Sequence, residues 1–450
     1  MALHRAIDHY HELLTDEMGG ETQARLDEQL ARRGLFFGDR PLCTVLRPRF
    51  LTGAQYTFLQ QRSAVLMGAF AKAYERAVSD AGFLSQFGLF DWEHTLIAGE
   101  SGFRDPSPVS RLDAFFVHDR GGLRFTEYNA ETPAAAAYND VLAEVTLGLP
   151  VMGEFLRSFE VRPQPSRQNV MHALLDAWHQ WSGRRDRPTI AILDWRDVPT
   201  YSEFVITAEY LRSRGLECTI VDPGEVEYTN GRLIADGMNV DLIYKRVLIS
   251  ELVMRGGLDH PVVRAVRDHA VCMVNPFHCK ILHKKASLAV LSDERNAELF
   301  TAAQLEAIGA HIPWTRTIED RRTLFRGEEI ELLRFASEHR ESLVLKPNDE
   351  YGGTGIVLGW RCTAGEWEAA LRHALSEPFV VQERVDIPVE PYPAMVDGKV
   401  RIEDRILDTA PFIYYGSYMD GCLTRLSTDA LVNVTAGGGS SLATFIVESR

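Results

Sequence analysis

Basic residues are in short supply. The 450 residues hold 48 Lys and Arg against 63 Asp and Glu, a formal net charge of −15. Duplex nucleic acid needs a basic surface that displaces counterions, so nucleic acid is not an expected partner. Cysteine is sparse too. Cys43, Cys218, Cys272, Cys279, Cys362 and Cys422 include no CxxC pair, and their scatter fits a reducing compartment. Cys272 and Cys279, with His278 and His283 nearby, match no common zinc spacing. No apolar run approaches the roughly 20 residues that cross a bilayer. The N-terminus lacks a basic stretch followed by an apolar one. These absences lead us to expect a cytoplasmic protein with no membrane partner. Internal repeats and low-complexity tracts are missing as well. What is present is ordinary globular composition, 45% apolar and 25% charged. The length exceeds one typical core and implies two or three domains.

Periodicity divides the chain into four parts. Residues 1–90 read as a helical segment, with mixed three and four spacing over 4–18, 21–34 and 58–81. Residues 91–165 change texture. Alternation over 111–117 and 123–129, around a His-Asp-Arg-Gly-Gly turn, predicts a hairpin. Thr132 and Pro133 then suit an N-cap and first-turn proline of a helix running to Val145. The polar, proline-bearing stretch 160–170 reads as a boundary. Residues 166–282 contain apolar strands at 189–194 and 217–222, with an amphipathic helix at 202–214 between them. Such a unit implies a parallel sheet with a right-handed crossover. A further strand is expected at 241–246, and no GxGxxG dinucleotide fingerprint occurs. Residues 283–450 begin with a helix from Lys284. Strands follow at 343–346, 355–360 and 379–384, and a helix at 366–375. The fold class expected is α/β (α+β).

The chemistry concentrates in two places. Lys346 ends an apolar strand and is followed by Tyr351-Gly352-Gly353-Thr354-Gly355. The lysine offers a point charge for phosphate, and the side-chain-poor turn lets backbone N–H groups approach it. A hairpin that merely needs glycine would look the same. GxxxxGK[ST] and the kinase HRD and DFG motifs are absent. Downstream, Gln382-Glu383-Arg384-Val385 closes an apolar strand. The second place is Arg111-x-Asp113 with Glu127-Tyr-Asn129. Each pair is spaced i, i+2 and shares a strand face. Across a hairpin the four would converge. Two carboxylates and an amide oxygen suit magnesium, and an arginine beside them suits a phosphoryl group. A solvated polar face with an Arg–Asp pair is the alternative.

Strand, glycine loop and strand resemble the lid of ATP-grasp enzymes, and Gln382 to Val385 resembles their adenine hinge. In those enzymes the metal-binding Glu and Asn usually follow the lysine and lid; here they come first. Glu127-Tyr-Asn-Ala-Glu-Thr-Pro133 resembles the Glu-Tyr-Asn-Ala-Asp-Thr-Pro stretch of glutathionylspermidine synthetases, which are circularly permuted ATP-grasp ligases. Arg111-x-Asp113 resembles the pair upstream of it in that family. Lys285, followed by Ala-Ser-Leu, resembles the family's first phosphate lysine and Lys346 its second. The resemblance spans roughly residues 105–440. It implies a permuted ATP-grasp fold whose α/β substrate domain, 166–282, is pre-ATP-grasp-like. The metal-binding part would be 91–165 and the nucleotide-binding part 283–450. An N-terminal amidase domain with a cysteine-protease constellation is not seen, and the lid residues differ, so glutathione and spermidine are not carried over.

The resemblance implies ATP and Mg²⁺ as cofactors and small-molecule carboxylate and amine substrates, such as an amino acid, peptide or polyamine. Asp113, Glu127 and Asn129 would hold the metal. Lys285, Lys346, Gly352, Gly353, Thr354, Gly355, Gln382, Glu383, Arg384 and Val385 would hold the nucleotide. Arg111, Lys346 and Arg425 would act on the reacting groups. Lys245 and Arg246, at a strand end, and Asn433 are candidate substrate contacts. The rival readings are a kinase or phosphotransferase and a nucleotide-binding scaffold without turnover. The sequence leaves the oligomeric state open.

Overall fold

The computed structural model describes residues 2–117, 122–350, 352–428 and 439–450. Its largest sheet is antiparallel and joins distant parts of the chain. The strand order is Val389–Val396, Lys399–Leu407, Tyr418–Ser427, Ala410–Tyr414, Val109–Val117 and Gly122–Asn129, with Ser440–Leu442 paired to Tyr418–Ser427. The expected hairpin is therefore seated beside C-terminal strands. Leu112, Ala114 and Phe116 face one core, where they meet Leu59, Leu66 and Phe70 of the helix Gly53–Ser79. Burying each of these large apolar side chains contributes roughly 1.5–3 kcal/mol. The helix opens on a capping box between Thr52 and Gln55.

The alternation of the second hairpin strand breaks once. Asp113 pairs with Glu127 but Ala114 pairs with Phe125, so Thr126 is an extra residue. Phe125 and Tyr128, three apart, consequently share the apolar core. The adjacent polar pair Thr126-Glu127 is the trace of this bulge in the sequence. Bulges re-aim side chains, and this one turns Glu127 to the face of Asp113.

A second antiparallel sheet carries the glycine loop, in the order Thr315–Thr317, Phe379–Glu383, Leu343–Pro347 and Val357–Leu358. The strand after the loop is shorter than 355–360, because Gly352, Gly353 and Gly355 have positive φ and the chain turns there. A third sheet is wholly parallel. It runs Cys272–Val274, Leu242–Lys245, Ile190–Leu193 and Cys218–Val221, and Tyr201–Ser213 is the helix between the last two. In the last sheet Thr444–Ser449 lies parallel to Arg49–Leu51 and antiparallel to Phe159–Pro163. The first and last parts of the chain are thereby tied together, and residues 160–163 run as a strand.

Three local expectations are corrected. The first helix ends at Leu13, because the Thr15 hydroxyl accepts from Met18 N–H and starts Asp16–Arg33. The helix expected from Lys284 begins at Ala286 and ends at Ser292, after a separate short helix Cys279–His283. The helix expected from Thr132 begins at Ala136. Residues before it stay irregular because buried arginines take their carbonyls: Arg111 donates to Ala134 O and Arg246 to Pro133 O. Ala137 N–H instead donates to the Glu203 carboxylate at 3.2 Å, an anion placed at the positive helix end. Among the described residues no helix is long and apolar enough to cross a membrane.

Candidate active site

The hairpin register sets Arg111 opposite Asn129 and Asp113 opposite Glu127. Arg111 clasps Asp113 through Nε at 2.6 Å and Nη2 at 3.0 Å, and Arg425 Nη2 adds a third contact at 2.8 Å. Burial would raise the Asp113 carboxyl, but Arg111 and then Arg425 hold it well below the usual carboxylate range. A carboxylate offers about four lone-pair positions, so roughly one stays open on Asp113. Glu127 is less encumbered: its ion pair is with Lys285, at 3.1 Å. Burial opposes ionisation there too, yet Lys285 keeps the carboxyl below its ordinary value.

Lys346 reaches the same place from the second sheet. Its ammonium donates to Gln382 Oε1 at 2.7 Å and to Thr126 O, the bulge carbonyl, at 3.2 Å. Burial pushes its pKa down to about 8, with Glu127 opposing and Lys285 assisting. An unfolded lysine titrates near 10.4. The folded chain thus loses this proton first, so its stability contribution rises with pH between the two values. A polyphosphate reverses the preference, because it attracts the ammonium. Affinity for inorganic triphosphate is expected to weaken above pH 8, by at most about tenfold per unit. Calorimetric titration from pH 7.5 to 9.5 checks this, and Lys346→Arg should flatten the profile.

A solvent-open cleft with a cavity volume of about 170 Å³ runs between the sheets. Asp113, Glu127, Lys346, Gly352, Gly353, Gln382, Glu383, Arg384, Val385 and Arg425 line it. Arg111 and Asn129 stand two residues further along the hairpin, and Lys285 touches the cleft's Glu127. One wall is apolar, built by Val344, Ile356, Leu358, Trp360 and Ile387, none of which the motifs singled out. Arg384 stacks over Trp360 at 4.4 Å. At the end of the strand Phe379–Glu383, Glu383 N–H bonds Trp314 O and Arg384 N–H bonds Ser342 O, both at 2.8 Å. Among the described residues the Val385 N–H has no partner and is open to an adenine-like acceptor. Asp408 also lines the cleft and was not singled out from the sequence. A lone carboxylate after a strand gives no motif.

Beside the glycine loop lies a buried charge network. Lys280 reaches Asp349 at 2.6 Å, Glu131 at 3.2 Å and Glu93 at 3.5 Å. Lys284 reaches Glu93 at 2.7 Å and Asp349 at 2.9 Å. Burial drives the His283 pKa down to about 4, so it stays neutral. Glu131, His283 and Asp349 are close enough together to bind a metal, but the Lys280 ammonium already pairs with both carboxylates. Lys285 extends the network toward the glycine loop by donating to Glu350 O at 2.5 Å.

Lys245 and Arg246 are brought to this interior, away from the cleft. Lys245 is 1% exposed and pairs with Glu131 at 3.4 Å. Arg246 is held by Glu203, Tyr244 and the Pro133 carbonyl. Thr354 and Gly355 belong to the glycine loop and do not line the cleft. Tyr351 and Asn433 lie outside the described residues. Cys272 and Cys279 are free, buried thiols whose pKa values burial pushes up.

No family model matches the chain. A putative glutamate–cysteine ligase 2-2 of Frankia casuarinae is 24% identical over 472 residues, covering 98% of this chain and 51% of that protein. The chain thus spans about half the length of this curated relative. A putative gamma-glutamylcysteine synthetase of Methylobacillus flagellatus aligns over 88% of this chain and 89% of its own, at 12% identity and a TM-score of 0.44. A glutathione synthetase-like effector of Globodera pallida superposes with a TM-score of 0.59 at 13% identity, over 96% of this chain and 98% of its own. With that effector the chain shares its mixed α/β fold.

Proposed function

We propose that the chain is an ATP- and Mg²⁺-dependent carboxylate–amine ligase of the circularly permuted ATP-grasp class. The observation that carries this is convergence: Asp113 and Glu127, some 200 residues ahead of Lys346, share one cleft with that lysine, the glycine loop and Arg425. The Frankia relative is named a ligase, which supports the class. On this reading 91–165 and 283–450 form the ATP-grasp core, and 166–282 the pre-ATP-grasp-like domain. The segment 1–90 flanks them.

Asp113, Glu127 and Asn129 would hold Mg²⁺, which when bound draws charge from the phosphates. The donor set fits a hard cation: among the described residues Glu127 is paired with Lys285 alone and the Asn129 side chain makes no hydrogen bond. Lys285 and Lys346 neutralise the α- and β-phosphates, and Lys285 must leave Glu350 O to do so. The adenine lies against the apolar wall and the Val385 N–H. The substrate carboxylate attacks the γ-phosphate, giving an acyl phosphate and ADP. Arg111 and Arg425 offset charge on the transferring group. An amine then attacks the acyl carbon, phosphate leaves, and the amine proton is lost to solvent. The lid, residues 351–355, excludes water from the acyl phosphate.

Hydroxylamine tests the chemistry. With ATP, Mg²⁺ and a panel of amino acids and short peptides, ADP release should be matched by trapped hydroxamate. ADP release with a stable phosphorylated product and no hydroxamate would replace the ligase with a phosphotransferase.

A further inference from the structure

Arg425 does not stand alone in the cleft. Asp408 follows the strand Lys399–Leu407, and its carboxylate is 3% exposed. Oδ1 accepts the Arg425 backbone N–H at 2.7 Å, while Oδ2 accepts Nε at 2.6 Å and lies 2.5 Å from Nη2. The Asp408 N–H returns a bond to Arg425 O at 3.1 Å. One residue thus fixes both the backbone and the guanidinium plane of Arg425. Nη2 is shared with Asp113 Oδ2, and Nη1 has no partner among the described residues.

We infer that Asp408 is a positioning residue for the proposed phosphoryl transfer: it fixes Arg425 so that Nη1 is the donor left for the transferring group. The inference rests on the ligase reading above, in which Arg425 meets that group. Two physical points support it. A guanidinium is planar and rotates freely on its stem, so a contact on Nε removes the rotation that a single Nη contact leaves. In addition, Asp113 already receives both Arg111 contacts. Without Asp408, Arg425 would fall wholly on Asp113 and take its remaining lone pair, blocking the oxygen a metal needs. Asp408 therefore keeps Arg425 aimed and Asp113 open.

Asp408→Asn keeps the volume but sets an amide N–H against a guanidinium N–H. In the hydroxylamine assay, ADP release at saturating ATP is expected to fall about 10- to 100-fold, as a misplaced catalytic contact does. The Kd for MgATP should change by less than about threefold, because the lysines hold the nucleotide. The double variant with Arg425→Ala should be no slower than Arg425→Ala alone. Asp408→Ser is the second probe if Asn does not fold. Wild-type turnover in both Asp408 variants, with Arg425→Ala inactive, would overturn the inference and leave the ligase reading intact. Losses that multiply in the double variant would also overturn it. Full activity in Arg425→Ala would instead remove Arg425 from the reaction, and the inference with it.

Discussion

Lys280→Met is expected to cost the fold about 3–5 kcal/mol, the range for breaking a buried ion network by removing one partner. Lys280 is 2% exposed, and its ammonium faces Asp349, Glu131 and Glu93, carboxylates from three separate chain segments. Burial would lower its pKa, but Glu131, Asp349 and Glu93 outweigh burial and raise it. Methionine fills the stem and leaves the carboxylates with Lys245 and Lys284. The urea midpoint should drop with little change in slope. The sign with pH follows from Glu131, whose pKa is held far below the ordinary value chiefly by Lys280 against the effect of burial. A carboxylate with a depressed folded pKa stabilises above its unfolded pKa, near 4.3, and loses that stabilisation as pH falls. The variant's deficit should therefore be full at pH 7 and shrink in acid. A deficit under about 1 kcal/mol at pH 7 would mean that water, not Lys280, satisfies these oxygens.

This network was not legible in the sequence, and the reason is separation. Glu93, Glu131, Lys280, Lys284 and Asp349 obey no local period, so no window of residues contains the interaction. Lys245 shows the same limit from the other side. A lysine at a parallel strand end is the right type of residue for a ligand, and only the fold shows its ammonium spent on Glu131. The hairpin was legible because its information is local. Spacing of i, i+2 places Arg111 with Asp113 and Glu127 with Asn129, and strand pairing does the rest. Even there the bulge at Thr126 was missed: residues 123–129 read as strict alternation, and the adjacent polar pair Thr126-Glu127 is its one trace. The three-residue strand Arg49–Leu51, paired to the distant Thr444–Ser449, was likewise too short to announce itself inside a helical segment.

Asn129→Ala separates chemistry from folding most cleanly. The Asn129 side chain is half-buried and makes no hydrogen bond among the described residues, so its removal orphans nothing. Stability is expected to change by no more than about 0.5 kcal/mol, the usual range for a substitution that breaks no contact. Turnover is a different matter. If the amide oxygen completes an oxygen set with Glu127 and Asp113, its loss weakens charge stabilisation where the phosphoryl group transfers. About 3–4 kcal/mol of barrier corresponds to two to three orders of magnitude in ADP release. The Mg²⁺ concentration for half-maximal rate should rise in parallel, which a merely steric effect would not produce. Thermal melting, ADP release and the Mg²⁺ titration measure the three quantities on one preparation. Near wild-type turnover with an unchanged Mg²⁺ requirement would take Asn129 out of the metal set and leave Glu127 to carry the ion beside Asp113.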